Sequence, residues 1–182
     1  MQQVYGYRLQ VVVKNSKVLK NSCTEKDMDA LDIRIVEALQ QQGDLTNAEL
    51  AECVSSTAST CLRRVNALKK RGILKKNVYI ADVAKLGRGL KAIITITTKD
   101  HPRAERERFA ASLRAEPSIG YAYGVTGELD AVLIGNFRDM VEYQEMCDRL
   151  FDGVESIVRY TTHFVSETYK DHPSVPCDAV SK

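Results

Sequence analysis

The first clear hydrophobic pattern of the chain begins at Asp29 and has the period of an α-helix. The apolar positions of one helical face are Leu31, Ile35, Val36 and Leu39. Gly43 and Asp44 follow as a stop signal. We therefore predict a first helix that starts near Asp29 and buries one side.

Two more helices are predicted directly after it. Thr46 and Glu49 form a T-x-x-E capping box ahead of a short helix. Residues 55–57 are a turn rich in hydroxyl groups, and Thr57 is the expected N-cap of the next helix. That third helix is expected to end at Gly72 and to carry on one side Leu62, Val65 and Leu68. Two capped helices joined by a short turn predict a helix-turn-helix.

After the third helix the pattern changes. Residues 73–82 are extended and basic at their start, which favours a wing or linker strand. The elements predicted next are a strand over 91–98, a helix after Pro102, strands over 119–125 and 131–137, a helix over 138–151 and a strand over 155–168. This β-α-β-β-α-β order predicts a ferredoxin-like domain with both helices on one face of its sheet, and hence an α+β chain. The bare face favours pairing with a second copy, which predicts a homodimer.

Charge is divided unevenly along the chain, although the formal net charge is only +2. Residues 1–82 carry 13 basic and 9 acidic side chains, whereas residues 83–182 carry 13 basic and 15 acidic ones. Residues 53–81 contain no acidic side chain at all. A run of like charge is tolerated where a polyanion neutralises it. The helix-turn-helix half is therefore expected to bind double-stranded DNA.

The candidate DNA contacts lie on the third helix and just after it. Small hydroxyl groups at the start of such a helix allow close approach to base edges, and arginine pairs bidentately with guanine. The DNA-binding residues we predict are Thr57, Ser59, Thr60, Arg63, Arg64, Lys69 and Lys75. The alternative is that the basic side chains of residues 53–81 form only a solvated helix face.

A second candidate site lies in the turn between two predicted strands, at residues 125–130. Backbone N–H groups and a hydroxyl could hold a carboxylate there, and an acidic side chain could hold an ammonium group. An amino acid presents both groups, so this turn is predicted to be a small-ligand loop that uses Thr126 together with Glu128 or Asp130. The alternative is a hairpin turn with solvated acids.

Other chemistry finds little support in the sequence. The five cysteines contain no C-x-x-C pair, and the three histidines lack ligand-like spacing. Cys53 and Cys61 lie in apolar-patterned segments and are expected to be small buried residues. The G-x-G-x-x-A string at residues 87–92 precedes a predicted strand, whereas a dinucleotide fingerprint needs a helix there. No apolar run approaches the ~20 residues of a membrane helix. We expect no catalytic residue, metal, cofactor or membrane partner, and a cytoplasmic protein with reduced cysteines.

These motifs resemble those of the Lrp/AsnC family of amino-acid-responsive transcription regulators. Residues 28–32 are similar to the family's opening L-D-x-x-D, with Met for Leu. Residues 50–65 follow its L-A-x-x-V-G-L-S-x-S-T-C-L-R-R-V pattern, and residues 68–74 follow its L-x-x-x-G-I-L. The V-T-G-x-x-D turn at residues 125–130 is typical of its regulatory domain. The departures include Ser55-Ser56, which stands where Gly-Leu is usual.

The resemblance implies a winged helix-turn-helix joined to a ferredoxin-like domain that dimerises through its sheet and often builds tetramers or octamers. DNA contacts are then implied for Ser59, Thr60, Arg63 and Arg64. Effector contacts are implied for Thr126, Gly127, Glu128 and Asp130. The last strand lacks the family's common T-x-T pattern in register, so the resemblance implies no effector contact from that strand.

The predicted organisation has five parts. These are an extension expected to be flexible at residues 1–27, a winged helix-turn-helix domain at 28–82, a linker at 83–90, a ferredoxin-like effector-binding and oligomerisation domain at 91–170 and a tail at 171–182. Met28 opens the patterned region, and we hypothesise that it is the natural start of the chain. An intact mass that includes residues 1–27 would refute this.

The predicted function is a sequence-specific transcription regulator that responds to a small effector, with an amino acid as the favoured class. Two alternatives remain open. An enzyme of the siroheme-decarboxylase type resembles this architecture, but it has no need of a basic recognition helix. A ligand sensor that acts only through a partner regulator would also not need one.

Overall fold

The computed structural model describes residues 28–99, 102–152 and 154–177, which divide into two compact units. The first unit combines residues 28–80 with the C-terminal segment 169–177, and the second contains residues 81–168. The extension expected at residues 1–27 lies outside the described residues. Within the described ranges, every helix is too short or too polar to cross a membrane.

The first unit has three helices: α1 (Ala30–Gln41), α2 (Asn47–Cys53) and α3 (Ala58–Lys70). The capping box predicted for α2 is confirmed, because Thr46 and Glu49 exchange side-chain to backbone hydrogen bonds. Thr57 is confirmed as the N-cap of α3. Gly72, with a φ of +74°, follows the end of α3 in the left-handed conformation that glycine tolerates.

The core of this unit lies where the inner faces of the three helices meet. Its fully buried large side chains include Ile35, Leu50, Cys61 and Leu68. Two expectations are wrong here. Leu62 is 49% exposed rather than inward-facing, because the inner positions of α3 are Cys61, Val65 and Leu68 at i, i+4 and i+7. Cys53, expected as a small buried residue, is exposed at the end of α2.

The C-terminal segment returns to α1. The Gln40 side chain donates a hydrogen bond to the Val175 carbonyl oxygen at 3.0 Å and accepts one from the Val175 N–H at 2.8 Å. Cys177, two residues further on, packs against the core of the helices. The sequence indicated only a tail here, because a segment without hydrophobic period carries no signal of what it docks onto.

The second unit contains a four-stranded antiparallel sheet and two helices. Their bounds are β1 (Leu90–Thr98), α4 (Arg103–Ala115), β2 (Ile119–Gly124), β3 (Ala131–Phe137), α5 (Met140–Leu150) and β4 (Ile157–Phe164). The strand order in space is β2-β3-β1-β4. This confirms the ferredoxin-like fold. β1 lies at the centre and pairs Ile94 with Leu133 of β3 and with Thr162 of β4.

One face of this sheet is buried and the other is not. Alternate residues of β1, namely Ala92, Ile94 and Ile96, are buried in a core that α4 and α5 complete. On the opposite face of edge strand β2, Tyr121 and Tyr123 are 55% and 51% exposed. Their rings stack with centroids 6.2 Å apart. The bare sheet face expected from the element order is therefore present.

The segment expected as a wing or linker strand, residues 73–82, forms no strand. No neighbouring segment in the described residues offers a ladder of backbone hydrogen bonds to it. Its contacts run to the helices instead, because Ile73 and Leu74 pack against the helical core. Asn77 donates a side-chain hydrogen bond to the Gly43 carbonyl oxygen at 2.7 Å. The helix-turn-helix is thus followed by an anchored irregular segment rather than by a wing.

Candidate DNA-binding surface and ligand cavity

Three hydroxyl groups meet at the N-terminus of α3. The Thr57 hydroxyl accepts a hydrogen bond from the Thr60 backbone N–H at 3.3 Å and donates one to the Thr60 hydroxyl at 2.9 Å. The Ser59 hydroxyl lies 3.2 Å from that of Thr57. The structure therefore brings together three of the predicted DNA-binding residues. The first turn of α3 presents compact polar groups and positive dipole character to solvent.

One line of exposed side chains runs the length of α3. We call the recognition stripe the set of residues at i, i+4, i+7 and i+11, which are Ser59, Arg63, Asn66 and Lys70. Only Ser59 and Arg63 were among the predicted site residues. Asn66 and Lys70 were missed, although the same helical period that located the core could have found them. Asparagine is the side chain that pairs bidentately with adenine, and lysine contacts phosphates.

Arg64 points away from this stripe and into an ion-pair cluster with α1. Its guanidinium lies 2.8 Å from the Asp29 carboxylate and 3.2 Å from that of Asp32. Arg71 adds a longer contact of 3.7 Å to Asp32, whose side chain is only 4% exposed. Arg64 was predicted to contact DNA, and that role stays a prediction. Its guanidinium already has two carboxylate partners within the unit.

Asp29 has a second role in this cluster. It is the N-cap of α1 and accepts hydrogen bonds from the backbone N–H groups of Leu31 and Asp32. The hydrogen bond from Asp32, followed by the attraction of Arg64, holds the pKa of Asp29 below its usual value. Asp29 therefore caps α1, and both aspartates of the opening motif bind Arg64 of α3.

Lys69 and Lys75 are the remaining predicted DNA contacts. Lys69 is exposed in the last turn of α3, and Lys75 is exposed in the irregular segment that follows. Within the described ranges neither lysine forms an ion pair. Both therefore offer an uncompensated positive charge, which suits contact with phosphates rather than with bases.

The second candidate site lies beside a cavity of about 970 Å³ in the other unit. α4 forms one wall, and β2 with the loop that leads into β3 forms the other. The cavity exists because the helix-facing residues of β2 are small. Ala122 pairs with the buried Leu133, and Gly124 follows two residues later on the same side. Side chains too short to reach α4 leave space beneath it.

Three of the four predicted effector residues line this cavity. They are Thr126, Gly127 and Asp130, whereas Glu128 is not in its lining. Gly127 has a φ of +125°, a conformation open mainly to glycine. The Asp130 carboxylate accepts a hydrogen bond from the Thr98 N–H at 2.7 Å, so it ties the loop to β1. The effector role of these four residues stays a prediction.

Two family models together match most of the chain. An AsnC-type helix-turn-helix domain matches residues 28–69, and an Lrp/AsnC ligand binding domain matches residues 91–175. The DNA-binding transcriptional activator DecR of Escherichia coli K12 is 30% identical over 151 residues, which are 83% of this chain and 99% of that protein. The chain belongs to the Lrp/AsnC family. It is a DNA-binding transcriptional regulator of the Lrp/AsnC type.

Other Lrp/AsnC regulators match over both units. The leucine-responsive regulatory protein of Rhizobium meliloti is 30% identical, over 80% of this chain and 93% of that protein. The crystal structure of a transcriptional regulator of Neisseria meningitidis in complex with L-Met has a TM-score of 0.76 at 32% identity, and the match covers 82% of this chain and 97% of that one. An AsnC family regulator from Agrobacterium tumefaciens has a TM-score of 0.77 at 25% identity, with the same two coverages.

Proposed function

We propose that this regulator recognises specific DNA sequences through the recognition stripe. We also propose that a small effector, an amino acid by class, binds in the cavity beneath α4 and changes the affinity of the regulator for DNA. The observation that supports DNA recognition is the recognition stripe itself. Arg63, Asn66 and Lys70 are exposed on α3, which is the capped second helix of the helix-turn-helix. An exposed row of donors at helical spacing suits the major groove.

The basic side chains are expected to contact different parts of the DNA because they occupy different positions. Arg63 lies in the middle of the stripe and suits bidentate contact with guanine, which discriminates between bases. Lys75 lies beyond the helix and suits a phosphate, which does not. The bare sheet face, with Tyr121 and Tyr123 exposed, supports a homodimer or larger assembly. We expect that assembly to act in the cytoplasm and to bind half-sites about 34 Å apart along the DNA.

The DNA assay compares target and unrelated duplexes by fluorescence anisotropy across a salt series, with DNA upstream of the protein's own gene as the target. Arg63→Ala should weaken target binding by about 1–3 kcal/mol and unrelated binding by much less. Lys75→Ala should weaken both equally and lower the salt slope by about one. Arg103→Ala, a cation paired with Glu107 in the other unit, is the matched control. Equal loss on both duplexes for Arg63→Ala would contradict its role in recognition.

Effector binding is tested by thermal shift of the purified chain against all amino acids. A compound that binds the folded state raises the midpoint by mass action. Each hit is then added to the anisotropy assay, where it should change the affinity for target DNA. Because the relatives that match over both units are named as transcriptional regulators, we propose a regulator and not an enzyme. A tetrapyrrole chromophore on the purified protein would contradict that.

A further inference from the structure

The cavity beneath α4 is positively charged, and this charge bears on the class of effector. Arg106 and Arg114 line the cavity from one face of α4, eight residues apart. Between them, Phe109, Ala110 and Leu113 line the same space at the intermediate helical positions. A rise of 1.5 Å per residue places the two arginines about 12 Å apart along the helix axis. The wall is therefore an apolar strip with a guanidinium at each end.

These two arginines differ from the others on α4. Arg103 pairs with Glu107 at 2.8 Å. Arg108 lines a separate, smaller cavity that it shares with Arg149. Across residues 28–99, 102–152 and 154–177, neither Arg106 nor Arg114 forms an ion pair. Their charges are available to a molecule that enters the cavity.

The opposite wall offers little to a cation. Among the residues that the structure describes, Asp130 is the one carboxylate that lines this cavity. Its oxygen already accepts the Thr98 N–H at 2.7 Å. Glu128, the other acid expected to hold an ammonium group, does not line the cavity. The lining therefore has two unpaired cations and one anion with a structural partner.

We propose that the effector is a small dicarboxylate, such as an acidic amino acid or a 2-oxo diacid, whose two carboxylates are bound by Arg106 and Arg114. Guanidinium forks bind carboxylates bidentately, and the apolar strip contacts the carbon chain between them. A neutral amino acid has a single carboxylate and therefore satisfies only one of the two arginines. The inference rests on the proposed function, because it takes this cavity as the effector site.

Isothermal titration calorimetry on the full chain, at constant ionic strength, compares L-glutamate and 2-oxoglutarate with L-glutamine and L-leucine. At least one of the two diacids should bind 10-fold or more tightly than both neutral compounds. Arg106→Gln and Arg114→Gln should each weaken diacid binding 10-fold or more. Arg108→Gln, on the same helix but outside the cavity, should leave it unchanged. Circular dichroism confirms that each variant is folded.

The outcomes separate the two proposals. If a neutral amino acid binds as well as the diacids and changes DNA affinity, the dicarboxylate class is overturned and the effector-responsive regulator stands. If a diacid binds but both arginine variants retain its affinity, the assignment to this cavity is overturned. If neither diacid binds, the inference is overturned whatever the DNA assay gives. If a diacid binds through the two arginines without any effect on DNA, the ligand class stands and its regulatory role falls.

Discussion

At the scale of single residues, Ser55 lies in a conformation that disfavours an L-amino acid. Its φ of +52° makes it the one non-glycine residue with positive φ among those the structure describes. It stands in the turn between α2 and α3, at a position where the family usually has glycine. The left-handed region brings Cβ close to the backbone and destabilises such a residue by roughly 1–2 kcal/mol.

Ser55→Gly should therefore stabilise the helix-turn-helix unit by about 0.5–1 kcal/mol, the relief of strain being partly offset by the greater entropy of the unfolded glycine. Urea denaturation followed by circular dichroism measures the change. Ser56→Gly is the matched control, because Ser56 lacks a positive φ and should lose stability with the same substitution. Equal destabilisation by both variants would show that Ser55 is not strained.

Neighbouring residues on α3 also have divergent surroundings. Arg63 lies on the exposed stripe, whereas Arg64 is bound by Asp29 and Asp32 at 2.8 and 3.2 Å. Sequence alone grouped the two arginines as one basic run. The 100° turn between successive helix positions separates them, and the carboxylates that bind Arg64 come from a different helix.

At the scale of elements, Arg64→Gln should lower the free energy of unfolding by about 1–3 kcal/mol, because Asp32 then keeps only its longer contact to Arg71 in a buried position. Arg63→Gln should change it by less than about 0.5 kcal/mol, since that side chain is exposed. Chemical denaturation of both variants provides the comparison. Unchanged stability of Arg64→Gln would indicate that its guanidinium is available for DNA.

Glu116 joins another pair of elements. It follows α4, accepts hydrogen bonds from the Ser118 hydroxyl at 2.6 Å and N–H at 3.2 Å, and pairs with Arg149 of α5 at 2.9 Å. Burial acts to raise the pKa of Glu116, but the hydrogen bonds from Ser118 and Arg149 outweigh it and hold this pKa below its ordinary 4.5. The folded state therefore binds this proton less readily than the unfolded state.

The stabilisation from Glu116 is complete above its unfolded pKa and is lost as the pH falls through the lower folded value. Glu116→Gln should lower the free energy of unfolding by about 1 kcal/mol at pH 7 and should make it less dependent on pH below about 5. Denaturation midpoints measured from pH 3 to pH 7 test this. Glu107→Gln, an exposed acid paired with Arg103, should keep the wild-type pH profile.

The sequence predicted the elements better than the contacts between them. Caps, periodic apolar residues and β-branched runs are local signals, so every helix and strand of the described ranges was expected within a few residues. The partner of Arg64, the lining of the cavity and the docking of the tail depend on residues far apart in the chain. Cavity shape in particular follows from Ala122 and Gly124, whose small size matters only once α4 lies above them.

At the scale of the whole molecule, the bare sheet face is the reason to expect a homodimer. Exposed Tyr121 and Tyr123 lie beside the half-buried Ile134 and Val132, with which they pair on β3. A contiguous aromatic and aliphatic surface of this kind marks protein interfaces. A second copy of the same face would cover it by two-fold symmetry.

Tyr121→Glu combined with Tyr123→Glu should convert the protein to a monomer in size-exclusion chromatography with light scattering. Two buried like charges facing their symmetry mates destabilise such an interface. Affinity for a two-half-site duplex should fall at least 10-fold, because paired binding is lost. Tyr79→Glu, which changes a tyrosine that is 90% exposed in the irregular segment, is the control and should remain an oligomer.

The return of residues 169–177 to α1 makes the DNA-binding unit discontinuous in sequence. The ferredoxin-like unit is inserted within it, entering after residue 80 and leaving before residue 169. Within the described residues, two covalent connections therefore join the two units. A fragment cut at residue 80 lacks the Val175 backbone that hydrogen-bonds the Gln40 side chain, and it lacks the Cys177 side chain that packs against the core. We therefore expect a circular permutant or a loop-closed fusion of residues 28–80 and 169–177 to be more stable than a simple truncation at residue 80.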